Sequence, residues 1–116
     1  IRLRALVAFS FLLLDGQAQV LLQQPSVTRK RSTTAWIECK VEGIDDFQVA
    51  YIHWYRHIPN RAPEWLLYIA SSAQISYQED SYKNKYYSAK RDKNTCIFSV
   101  KDIRDNDEGT YYCAYW

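Results

Sequence analysis

The chain has almost no net charge. Its 15 Lys and Arg residues face 13 Asp and Glu, leaving +2. A nucleic-acid groove needs a dense basic face. Here the basic residues are scattered, as Lys30 and Arg31, Lys83 and Lys85, and Lys90 to Lys93, among acids and tyrosines. They read as a solvated surface, and nucleic acid is not an expected partner. No apolar run is long enough to span a bilayer, since the run from Ala5 to Leu14 is about half of the ~20 residues required. Histidine is scarce. His53 and His57 share one face of a strand but stand ~13 Å apart, too far to chelate one zinc. No Cys or carboxylate set lies at ligand spacing, and no Gly-x-Ser-x-Gly, phosphate loop or paired-acid pocket is present. These absences exclude an enzyme: no catalytic residue, no metal and no cofactor are expected.

What is present begins with "IRLRALVAFSFLLLDGQA". Arg2 and Arg4 precede the apolar run, and Gly16 and Ala18 supply small residues at signal-peptidase spacing. Residues 1–18 are therefore expected to be a secretory leader, incomplete at its N-terminus because it lacks methionine, with the domain running over 19–116. Secretion places the three cysteines in an oxidising compartment, where two should bridge and one is left over. The count alone leaves the pairing open.

After the leader, helical periodicity gives way to short aromatic and β-branched runs separated by polar turns, which indicates an all-β domain. In "TAWIECKV" Ala35, Ile37, Cys39 and Val41 share the apolar parity. In "YIHWYRHI" Ile52 and Trp54 point inward, with Tyr51, His53, Tyr55 and His57 on the other face. In "TCIFSVKDI" Cys96, Phe98 and Val100 point inward, and "RAPEWLLYI" reads as a turn into a further strand. Strands at this spacing form a sandwich of two sheets.

The closing stretch "DNDEGTYYCAYW" sharpens this reading. Asp107-x-Gly109-x-Tyr111-x-Cys113 leads a strand into the core, and Tyr111 is placed for its hydroxyl to reach back to upstream backbone. Together with Trp54 this order brings Cys113 to Cys39 across the sandwich, with Trp54 packed on the bridge. Closing so long a loop is worth about 4 kcal/mol. Cys96 is then a buried, inert thiol.

The segment from about Gln19 to Trp116 resembles an immunoglobulin variable domain, and among these a T-cell receptor gamma chain. "YIHWYRH", "RAPEWLLYI", "KYYSAKRD" and "DNDEGTYYCAYW" carry the closer resemblance. It implies a V-type β-sandwich whose last strand, beginning with Phe-Gly-x-Gly, comes from a joining segment. Only Ala114, Tyr115 and Trp116 follow Cys113, so the chain resembles an unrearranged variable gene segment. The resemblance also implies antigen recognition through hypervariable loops and pairing with a delta-chain variable domain. A signalling co-receptor complex and the membrane would be engaged through constant and transmembrane regions outside this sequence, on the extracellular side of the plasma membrane. The alternative is an adhesion or co-receptor domain of the same fold, acting through a sheet face without rearrangement.

On this frame the partner-chain interface is expected at Tyr55, His57, Pro63, Trp65 and Tyr112, an aromatic and proline patch with outward parity. A protein or cell-surface ligand is expected to meet Asp45, Asp46 and an exposed Phe47 in the loop 43–50, and Tyr77 in the loop 69–78. Arg56, Glu64 and Asp107 suggest a polar cluster at the sheet's end, with Lys85 competing for Asp107. Trp36 has outward parity on the opposite sheet, and the sequence assigns it no role.

Overall fold

The computed structural model describes residues 2–5, 8–12, 17–23, 26–28, 32–44, 46–70 and 74–115, with the backbone alone described before residue 32. The strands are β1 (Arg2–Ala5), β2 (Ala8–Leu12), β3 (Gln17–Gln23), β4 (Ser26–Thr28), β5 (Ala35–Glu42), β6 (Ile52–His57), β7 (Glu64–Ile69), β8 (Ile75–Tyr77), β9 (Tyr86–Arg91), β10 (Thr95–Val100) and β11 (Gly109–Ala114). They form two sheets, in the orders β4-β1-β11-β6-β7-β8 and β2-β3-β5-β10-β9.

Parity explains the core. Ala35, Ile37, Cys39 and Val41 on β5 are buried, as are Cys96, Phe98 and Val100 on β10, and Ile52 and Trp54 on β6. Alternate side chains of a strand point to opposite faces, so each apolar set meets the other sheet. Cys39 and Cys113 are bridged between the sheets, with Cα atoms 6.5 Å apart. Trp54 is fully buried beside them and stacks on Phe98 at 4.7 Å between ring centroids. Tyr111 is also fully buried, and its hydroxyl donates to the Asp107 carbonyl at 2.7 Å, the tyrosine corner that the sequence suggests. A single turn of 3-10 helix, Asp105–Asp107, brings that carbonyl into place.

The free edge of β11, left by the sequence to a joining strand, is paired in the structure. β1 lies parallel to it, with Leu3 opposite Gly109 and Ala5 opposite Tyr111, and pairs on its other side with β4. An unpaired edge presents a row of N–H and C=O groups, which an extended segment within reach satisfies.

The polar cluster is wired differently from the sequence expectation. Lys85 Nζ takes Asp107 Oδ2 at 2.6 Å, and the same oxygen accepts the Arg104 backbone N–H at 2.8 Å. Arg56 instead donates to the carbonyls of Asn106 and Glu108, while Glu64 accepts the Tyr82 hydroxyl. Lys85 wins because it immediately precedes β9, beside the turn that holds Asp107, whereas Arg56 on β6 faces backbone carbonyls.

Trp36 also gains a physical account. On the outer face of the second sheet it stands in register with Ser99, which stands in register with Tyr87. The two aromatics, 46% and 40% exposed, flank Ser99 and leave it only 1% exposed.

Candidate functional site

The face of β11, β6 and β7 that points away from the core is lined with aromatic rings. Tyr112, Tyr55 and Trp65 occupy one row, since Tyr112 is opposite Tyr55 and Tyr55 opposite Trp65. Tyr55 and Tyr112 stack, with centroids 5.3 Å apart and planes 13° from parallel. Burial raises the hydroxyl pKa of both, and at Tyr112 the neighbouring Tyr55 adds to the rise, so both stay protonated donors at neutral pH. His57 lies opposite Thr110, two pairs along the strand from this row, and Pro63 is exposed just before β7.

The array extends beyond the residues singled out from sequence. His53 packs against Tyr55 at 6.5 Å, Trp65 at 6.4 Å and Tyr68 at 5.3 Å. Tyr68 in turn stacks on Trp65 at 6.0 Å and on Tyr51 at 5.3 Å. The result is a continuous aromatic surface from Tyr51 to Tyr112. Partial burial lowers the His53 pKa, which favours the neutral ring. His53 and Tyr51 were available from parity, being two and four positions before Tyr55. Tyr68 was not. The β6–β7 register shifts between Trp54 and Tyr55, so that Trp54 faces Leu67 while Tyr55 faces Trp65. The extra residue is Leu66, and both Leu66 and Leu67 are fully buried. This bulge reverses the parity after Trp65 and brings Tyr68 to the same face.

The loop end differs in detail from the sequence expectation. Phe47 is not exposed; it is 4% exposed and belongs to the core. It opens the 3-10 turn Phe47–Val49, which folds its ring inward under the Lys90 ammonium, 5.3 Å from the ring centroid. Val49 at 61% and Tyr51 at 53% are the large side chains the loop presents instead. Asp46 is exposed, and Asp45 lies outside the described residues. Tyr77 lies on strand β8 rather than in a loop, and its hydroxyl donates to the Tyr86 carbonyl at 2.9 Å.

Lys90 ties the two loops together. Its Nζ donates to the carbonyls of Phe47 at 2.8 Å, Gln48 at 2.9 Å and Ala50 at 2.6 Å, and also to that of Ala70 beyond β7. Burial lowers its pKa, with Cys96 and Asp46 opposing that shift. No signal in the sequence separates this lysine from its solvated neighbours.

Chemistry has little footing in the described residues. A cleft of about 590 Å³ lies beside Arg56 and Arg61, but Asp105 and Glu108 balance the two cations and no nucleophile lies beside a base there. Among the described residues no group of His, Cys, Asp or Glu could hold a metal ion, and no helix is long and apolar enough to cross a membrane.

Comparison with known proteins agrees with this geometry. Residues 23–116 match the family described as immunoglobulin V-set domain. Human T cell receptor gamma variable 3 is 36% identical over 92 residues, which cover 78% of this chain and 75% of that protein. A T-cell receptor gamma chain V region of Mus musculus is 32% identical over 103 residues, 87% of this chain and 74% of that one. A human protein named as probable non-functional T cell receptor gamma variable 10 is 30% identical, over 87% of this chain and 86% of its own length.

Proposed function

Because the chain belongs to the immunoglobulin V-set family, as a relative of T cell receptor gamma variable segments, we propose that it is the ligand-recognising variable domain of a gamma-delta receptor. In this reading the β11-β6-β7 face pairs with a delta-chain variable domain, and the loops around Asp46, Val49 and Tyr51 meet a protein or cell-surface ligand. The domain acts outside the cell, as part of a membrane receptor whose signalling partners bind other regions. The continuous aromatic surface built from Tyr51, His53, Tyr55, Trp65, Tyr68 and Tyr112 carries the proposal. Rings of this kind supply large contact area at small entropic cost and are enriched at the centres of interfaces.

The test is co-expression with a delta chain, the variable domain being joined to gamma-chain joining and constant regions. A stable heterodimer should form and reach the cell surface. Secretion of a monomer that shows no affinity for any delta chain would favour an adhesion domain instead.

A further inference from the structure

Cys96 is a free, fully buried cysteine, and its position in the sheet is unusual. It lies directly opposite Cys39 in the antiparallel β5–β10 pair. Residues so placed have Cα atoms about 4.5–5.5 Å apart, inside the range that a disulfide spans. Cys39 is already bonded to Cys113 of the other sheet. Cys39 is therefore common to the existing bridge and to a second one that the strand register permits.

We propose that Cys39, Cys96 and Cys113 form a thiol–disulfide exchange site, in which the bridge can move from between the sheets to within one sheet. The Cys96 sulfur, as thiolate, attacks Cys39 Sγ. The Cys39–Cys113 bond breaks as the Cys39–Cys96 bond forms, and Cys113 leaves as a thiolate that takes up the proton Cys96 gave up. One sulfur is oxidised as another is reduced, so no external oxidant is needed.

The surroundings set the conditions. Burial pushes the Cys96 thiol up, and the Ser88 hydroxyl, 3.4 Å from its sulfur, and the Trp54 indole pull weakly the other way. The closed domain thus holds Cys96 as a thiol, and exchange proceeds on local opening. Once moved, the bridge joins the adjacent strands β5 and β10 and no longer ties β11 to the opposite sheet.

The native fold and the unfolded chain favour different products, which makes the idea testable. In an unfolded chain the shorter loop between Cys96 and Cys113 closes about sixfold more readily than that between Cys39 and Cys96. The protein is held folded at mildly alkaline pH, quenched with acid, alkylated and mapped without reduction. Cys39–Cys96 peptides should accumulate and exceed Cys96–Cys113 peptides, while full denaturation should reverse that order. Recovery of the Cys39–Cys113 bridge alone, or of Cys96–Cys113 in excess under native conditions, overturns the proposal. Cys113→Ser with one equivalent of a disulfide oxidant gives a second reading. A folded variant should link Cys39 to Cys96, and if both thiols stay free in it the proposal fails. If that variant does not fold, the measurement on the unaltered chain decides.

Discussion

Tyr112 stacks on Tyr55 across the β11–β6 pair, their rings 5.3 Å apart and nearly parallel. The stack sits mid-strand on both β6 and β11, and Tyr55 stands between Tyr112 and Trp65 in the row, with rings on both sides of it. Central aromatic anchors commonly cost 2 kcal/mol or more when truncated. Tyr55→Ala or Trp65→Ala should therefore weaken pairing with a delta chain by about thirtyfold, since 1.4 kcal/mol is tenfold. Asp46→Ala should leave pairing unchanged. Assembly affinities measured by titration check this, and the reverse ranking would mean that the pairing and ligand surfaces are exchanged.

The Lys90 clamp makes a separate expectation. Removing its ammonium leaves the carbonyls of Phe47, Gln48, Ala50 and Ala70 without their shared donor. Hydrogen bonds to charged groups contribute about 1.5–3 kcal/mol, and these four share one donor, so they will not add. Lys90→Met should destabilise the domain by about 2 kcal/mol. Amide exchange should quicken around Ala50 and Ala70 while β10 stays protected. Uniform acceleration throughout the domain would show a global rather than a local role.

The buried ion pair between Lys85 and Asp107 supports the tyrosine corner. The Asp107 side chain is 4% exposed and the Lys85 side chain 27%. Removing one partner of such a pair leaves a buried charge uncompensated, at about 3 kcal/mol. Lys85→Met should show a loss of that order in urea denaturation, and Lys85→Met combined with Asp107→Asn should recover part of it. If the double variant is as unstable as the sum of the single ones, the pairing is not what holds the turn.

How much of this was legible beforehand follows from which forces are local. Strand parity exposes Cys39, Trp54, Phe98 and Tyr111 to sequence reading, because a period of two is written into the residues themselves. Tyr68 was hidden because the bulge at Leu66 reverses that period, and no turn residue marks it. Phe47 was misjudged because its acidic neighbours suggest solvent, whereas the 3-10 turn and Lys90 draw the ring inward. The opposition of Cys39 and Cys96 depends on strand register, which parity alone leaves undetermined by steps of two residues.

His53 gives the face a pH dependence. Among the described residues, the rings of Tyr55, Trp65 and Tyr68 pack against it. Its pKa in the folded domain lies below the ordinary 6.5, because partial burial disfavours the imidazolium. The unfolded chain therefore binds the proton first as pH falls. This contribution to stability is complete above 6.5, declines below it, and levels off once pH drops beneath the folded value. Pairing would bury the ring further and extend the same trend, so assembly should weaken between neutral pH and pH 5. His53→Phe keeps an aromatic ring in the array and removes the titration. Affinities measured across that range should be flat for the variant and fall with acid for the unaltered chain. Parallel pH profiles for the two proteins would place the titrating group elsewhere.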